Sequence, residues 1–324
     1  MFSYVIRRLL YAIPIVAGVM VITFLLFFTL QTPDQVARQQ LGVKASPQAV
    51  QNWLHQRGWD KPTWFNLEKG ANPFDSLFFN QMKALATFDL GKSLATNEPV
   101  LEMFKRGALP SLLITLPAFL TGIVIAVAIG LFLVYVRDTP LDTSGTIIAV
   151  ILMSVPVMVD VIFGQWFLAV VLKYFPAFGY NMDSLSGARF LFLPICILVI
   201  GGLGTDVRLY RAIFLEESRN DYVRTAQAKG LSARGVFVGH ILKNGMINII
   251  TLTVSALPLL ILGSLILEQF FGIPGLGNLA LTAIHSGDFV VVQATTFVGS
   301  LLYLLGLLLT DFCYALVDPR VKLK

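Results

Sequence analysis

The chain has 324 residues, of which 56% are hydrophobic and 13% charged, with a formal net charge of +5. That charged fraction is well below the roughly 25% of soluble proteins. Several apolar runs exceed the about 20 residues that cross a hydrocarbon core, so a soluble globular class is excluded. The runs are solidly apolar rather than alternating, which excludes a β-barrel. The basic residues cluster beside the ends of apolar runs, where they orient a chain in the bilayer, so the positive sum gives no nucleic-acid reading.

The first run, 9–30, follows Arg7 and Arg8. It is longer than a signal-peptide core and no small-residue cleavage site follows it, so it reads as a retained first span. A long polar segment, 31–111, comes next and holds three of the four tryptophans. Within it, "SPQAVQNWLHQRG" and "EPVLEMFKRG" each read as a capped amphipathic helix closed by glycine. "LGKS" at Leu90–Ser93 lacks the leading glycine of a phosphate-binding loop, since Ala86 stands in its place, and it reads as a turn.

Five further runs are expected to span, at about 112–136, 146–172, 190–210, 246–267 and 290–314. The third contains Asp160 and Gln165 in "SVPVMVDVIFGQW". An intramembrane carboxylate is costly, so Asp160 is expected to face protein or a water-filled path. Both residues are candidates to line a translocation path; the alternative for Asp160 is a membrane-surface carboxylate paired with a neighbouring subunit. After the fifth run, Pro274, Gly275 and Gly277 in "GIPGLG" break any helix. Such a turn at membrane depth is tolerated where it lines a cavity or is buried in protein. A short helix dipping back towards the outer mouth is expected, with a plain surface loop as the alternative.

Orientation follows from Lys and Arg in the short loops. Arg7, Arg8, Arg137, seven basic residues from Arg208 to Lys243, and Arg320, Lys322 and Lys324 outnumber Lys173 and Arg189 on the opposite side. The expected fold is therefore an all-α polytopic membrane protein of six transmembrane helices. Both termini are cytoplasmic, and a small periplasmic region lies between helices 1 and 2. Its divisions are residues 1–30, the external region 31–111, and the core 112–324. Cys196 and Cys313 lie in apolar runs, and His55, His240 and His285 are scattered, so no metal site and no catalytic constellation is expected.

Between the fourth and fifth runs lies "DYVRTAQAKGLSARG". Asn220 or Asp221 can cap a helix there, Gly230 can end it, and Ser232 can cap the next. Ala226 and Gly230, four apart, offer a low-relief face flanked by Arg224 and Lys229. A helix this short is marginal alone, so a docked partner is expected to hold it, with a lipid-surface helix as the alternative.

These residues, with "RRLLYAIPIVAGVMVITFLLF", "WDKPTWF", "FDLGKSL", "EPV", "SVPV", "FPAFGY", "GIPGLGNL" and "DFCYALVDPR" in this order, resemble the permeases of binding-protein-dependent ABC importers. The likeness is to the B-type subunits of the oligopeptide and dipeptide branch and covers essentially the whole chain. The resemblance implies a coupling helix, about 220–230, that seats Asp221, Tyr222, Arg224, Thr225, Ala226, Ala228, Lys229 and Gly230 against an ATPase. It implies a C-type permease partner, two ATP-binding subunits that hold ATP and Mg, and an external substrate-binding protein docked near 31–111. Ala226 and Gly230 fall on the small residues of the general motif. Arg224 stands where many importer families have glutamate, and Gln227 where the peptide branch often has arginine. The implied role is a multi-pass inner-membrane permease subunit, not itself an enzyme and without a cofactor of its own. Its implied cargo is peptides, with a nickel chelate, glutathione or an antimicrobial peptide as alternatives. Outside the family, an ion-coupled secondary transporter would need internal repeats and ion-binding residues in both halves, and neither is evident. A non-transporting membrane scaffold is disfavoured by the Pro-Gly break.

Overall fold

A computed structural model describes residues 2–67, 72–181 and 187–317; the basic tail at Arg320, Lys322 and Lys324 lies outside them. The described residues are helical apart from turns and one isolated bridge between Lys92 and Pro99. They form two compact units, one of residues 1–107 and 279–305, the other of 108–278 and 306–323.

The first unit begins with α1 (Phe2–Leu30), followed by α2 (Pro33–Leu41), α3 (Pro47–Gln56) and α4 (Leu77–Ala86). Each short helix starts where the residue types demand. Thr32 and Gln35 form a reciprocal capping box before α2, Ser46 accepts from Ala49 N–H at α3, and Ser76 accepts from Phe79 N–H at α4. Phe24 of α1, Trp53, Trp59, Leu77 and Phe289 bury together. The Phe27 and Phe289 rings stack at 3.6 Å, and Trp53 meets Trp59 edge-on at 5.8 Å. The tryptophans of the segment after the first run thus complete an aromatic core. Ser93, in the expected turn, donates to Asp288, which also accepts from Ala95 N–H at 3.2 Å.

Helix α5 (Val100–Tyr135) corrects the expectation that "EPVLEMFKRG" closes at Gly107. Gly107 does not adopt the left-handed conformation that ends a helix, and the apolar sequence after it continues through Pro110 and Pro117.

The second unit contains α6 (Pro140–Ser154), α7 (Val157–Gly164, prolonged by a π-helical turn to Val171), α8 (Ala188–Glu217) and α9 (Asp221–Ala228). It continues with α10 (Ala233–Val236), which runs through a π turn into α11 (Lys243–Ala256), and then α12 (Leu265–Phe271). Helices α13 (Leu276–Ser286) and α14 (Phe289–Val317) complete the described residues. Close packing rests on small residues, as is usual between membrane helices. A Cβ at Gly204 of α8 would lie 2.5 Å from Met153 N and 2.6 Å from Ala149 O of α6, and one at Gly245 would lie 2.7 Å from the Phe214 ring. Across the α6–α8 contact, Arg211 grips Asp142 with two bonds of 2.9 and 2.8 Å.

The expected uninterrupted run 146–172 is instead broken by 92° between α6 and α7. Val155 is extended (ψ 123°) because Pro156 follows it, and Pro156 has no N–H to continue the ladder. The expected run 246–267 is likewise interrupted: a 3₁₀ turn, Leu257–Leu262, and the positive φ of Gly263 separate α11 from α12. Among the described residues, five helices are long and apolar enough to cross a membrane, and the count reaches seven if the α6–α7 and α12–α13 bent pairs each count as one.

Candidate functional site

Helix α9 is short, yet the second unit holds it firmly. Asn220 takes the N-cap backbone conformation, but its side chain does not cap; it donates to Glu217 Oε2 at 2.9 Å. The Tyr222 hydroxyl donates to the same oxygen at 2.6 Å. Burial pushes the Tyr222 phenol above its ordinary range, and the Glu217 bond adds to the rise. Val223 and Ala226 enter the core with Phe214, Val236 and Ile241. Gly230 ends the helix at φ 81°, and Ser232 caps α10 by accepting from Gly235 N–H.

Ala226 is only 5% exposed, so the face expected to be formed by Ala226 and Gly230 does not exist as such. The reason is register: Val223 and Ala226, three apart, share the inward stripe. The outward stripe carries Asp221, Arg224, Thr225 and Ala228, followed by exposed Lys229 and Gly230. Arg224 lies 3.8 Å from Asp221 on this exposed surface.

At the α12–α13 bend of 69°, Pro274 is exposed while Gly275 and Gly277 are buried. Sequence reasoning missed the residue that organises this bend. Glu268 is 1% exposed, and its carboxylate accepts from Ser111 Oγ at 2.8 Å, Ser264 N–H at 3.1 Å and Asn278 N–H at 3.0 Å. Ser111 Oγ in turn accepts from Leu276 N–H at 2.8 Å. The carboxylate and the serine thus satisfy the opening amides of α13, where a helix dipole favours negative charge. A Cβ at Gly275 or Gly263 would collide with the Glu268 carboxylate and Ser111, so both glycines are sterically required.

The two path candidates from sequence do different things. Asp160 is half-buried on α7, beside Gly201 of α8. Gln165 spends its amide on the carbonyls of Ala177 and Phe270, tying the π turn to the end of α12. A cavity of about 490 Å³ opens elsewhere in the unit, between α5, α8, α11 and the turn at Gly263. Its wall includes Thr115, Gly202, Asp206, Tyr210 and Thr253, and neither Asp160 nor Gln165.

Residues 118–323 match the family described as binding-protein-dependent transport system inner membrane component, and residues 1–115 match its N-terminal companion. The chain belongs to this family. It is 33% identical over 325 residues to a Brucella abortus protein described as a peptide transport system permease, covering 99% of both chains. It is 30% identical to the dipeptide transport system permease protein DppB of Alkalihalophilus pseudofirmus, over 99% of this chain and 100% of the other. The glutathione transport system permease protein GsiC of Shigella flexneri is 29% identical over the full length of both. The protein is thus a permease subunit of a binding-protein-dependent ABC importer, a multi-pass component of the inner membrane. In a permease, a firmly seated helix with a polar outward stripe and a cavity between apolar helices are the two features with evident work to do.

Proposed function

We propose that this permease moves peptides delivered by a substrate-binding protein, as one half of a heterodimer with a C-type permease, and that α9 is its coupling helix. The observation that carries the coupling role is the mounting of α9. Its inner face is locked by Glu217, Val223 and Ala226, while Asp221, Arg224, Thr225, Ala228, Lys229 and Gly230 stay exposed for a partner. Two ATP-binding subunits, which bind and hydrolyse ATP with Mg, seat this face in a groove. Their closure moves α9, and its rigid attachment to α8 transmits the motion to the membrane helices. A loosely tethered helix would absorb that motion instead.

In this reading the chain crosses six times, through α1, α5, the bent α6–α7 pair, α8, α10–α11 and α14. Helices α12 and α13 then dip back without crossing. Six crossings keep both termini and α9 on the cytoplasmic side, in accord with the Lys and Arg distribution. The region 31–111 faces the periplasm beside the binding-protein dock. The dipeptide and peptide relatives favour peptides as cargo, and the full-length glutathione relative is itself a transporter of a peptide-like molecule.

The test is reconstitution with the native partners. Ala228→Trp, on the exposed outward stripe of α9, is expected to leave the permease pair assembled while ATP hydrolysis no longer drives uptake. Normal coupled transport by this variant would refute the docking role of α9. Isolation of a transport-active chain without any ATP-hydrolysing subunit would refute the importer architecture.

A further inference from the structure

Two half-buried acids of the second unit, Asp160 and Asp206, lack a partner among the described residues, and of the two it is Asp206 that lines the 490 Å³ cavity. Asp142 is held by Arg211, and Glu268 is surrounded by donors. Asp206 makes no ion pair or hydrogen bond with any described residue, although it is half-buried on a membrane-spanning helix. A carboxylate in that position needs a counter-charge or a path to water. The 490 Å³ cavity that it lines supplies no cation: Lys, Arg and His are absent from its wall.

The rest of the wall narrows the chemistry. Leu198, Val199, Leu209, Leu252 and Leu260 are apolar, whereas Thr115, Tyr210, Thr253 and Ser264 bring hydroxyls. Thr115 is committed to the carbonyls of Ser111 and Leu260, and Thr253 to the carbonyl of Ile249. One free carboxylate with few free neutral oxygens is a poor site for a divalent cation, which takes six or more oxygens, commonly with more than one carboxylate. No group of three metal-ligating side chains occurs among the described residues. A single primary ammonium suits the site, because it needs one anionic acceptor and tolerates apolar surroundings along its stem. The volume falls within the range of small-molecule pockets. Gly202, one turn before Asp206, keeps the carboxylate unobstructed, since a Cβ there would meet only Asp206 Oδ2, at 3.6 Å.

We propose that Asp206 is a substrate-contacting residue of this permease, and that the cavity beside it receives the α-ammonium group of the translocated peptide. The proposal rests on the peptide reading given above and names the group recognised on the way through. Recognition is transient: one charge-assisted contact in an otherwise weakly polar cavity guides an ammonium without trapping it. The position of Asp206 assigns this task to α8 rather than to Asp160 on α7.

Two measurements on the reconstituted complex test it. Uptake of dialanine and N-acetyl-dialanine is followed at saturating binding protein and ATP. Asp206→Asn is expected to slow dialanine uptake about tenfold, the loss of one hydrogen bond to a charged group. N-acetyl-dialanine uptake stays unchanged, and Asp206→Glu restores most of the dialanine rate. Equal slowing of both substrates, dissociation of the permease pair, or an effect that follows sodium concentration would overturn the proposal. Those results assign Asp206 to general gating, to a cation of the partner permease, or to an ion. The second measurement needs no binding protein. In a chain with Cys196→Ser and Cys313→Ser, Gly202→Cys is expected to react faster with 2-aminoethyl methanethiosulfonate than with the neutral methyl reagent, and Asp206→Asn removes that preference. An unchanged preference would overturn the site. If the wild-type complex moves neither dipeptide, the peptide reading fails, while the labelling result still decides whether Asp206 attracts ammonium groups.

Discussion

Glu268 and Asp206 are carboxylates of the same unit, both on apolar helices and both without an ion-pair partner among the described residues, yet they are opposite in kind. Glu268 is enclosed by donors drawn from Ser111, Ser264 and Asn278, and two glycines are required to make room for it. Asp206 accepts no hydrogen bond from any described residue and faces open volume. The first is a structural anion whose charge is spread over protein dipoles. The second is a charge left for something that comes and goes. A buried acid is therefore informative only together with its donors.

The comparison can be broken most forcefully at Glu268. Glu268→Ala strands the Ser111 hydroxyl and two backbone amides in a buried site, and a loss of about 3–5 kcal/mol is expected from such multiple orphaning. It is read as a marked drop in the detergent melting temperature of the complex. Gly275→Ala should be comparably damaging, because its Cβ collides with the same carboxylate. A melting temperature near wild type for both would show that the bend does not depend on Glu268.

A smaller effect is expected where a carboxylate has a real counter-charge. Arg211→Ala leaves Asp142 without its bidentate partner, at roughly 2–3 kcal/mol, while the double variant Arg211→Ala, Asp142→Ala recovers part of the loss. Additivity in that cycle would deny the pair any coupling. At α9, Tyr222→Phe removes one bond to Glu217 and should cost about 1 kcal/mol. Hydrogen exchange of α9 amides, faster than wild type while α8 is unchanged, is the readout.

The smallest effect belongs to the exposed acid Asp60 of the first unit. The hydrogen bond with His55 Nδ1, 2.7 Å long, holds its carboxyl below the ordinary 3.8. A depressed carboxyl contributes stability above the unfolded value and loses it as pH falls through the folded one. Asp60→Asn is therefore expected to lower the melting temperature slightly at neutral pH, with the difference shrinking as pH falls below 3.8 and through the depressed folded value. A difference that grows on acidification would contradict this sign.

Much of the local structure was legible residue by residue. Ser46, Pro47 and the glycine after "HQR" announced α3, Asn220 to Gly230 announced α9, and Pro274–Gly275 announced a bend. The break at Pro156 was also written locally, but an apolar run that continues past it masks the missing N–H. Gly107 misled in the opposite sense, since glycine permits a helix end without imposing one. Ala226 was placed on the wrong side because a small residue suits a close approach to a partner and to the chain's own core equally well.

Composition, the length of the apolar runs and the placement of Lys and Arg determined by themselves that this is a polytopic helical membrane protein, since bilayer thickness and desolvation act on runs of residues whatever their neighbours. The order of motifs was enough to identify the family. Which acid is satisfied and which is free was decided only by the tertiary structure. The donor to Glu268 comes from Ser111, 157 residues away, and the partner of Asp142 from Arg211, 69 residues away. Hydrogen bonds and ion pairs act over a few ångströms, so the fate of each carboxylate depends on distances that only the packed helices define.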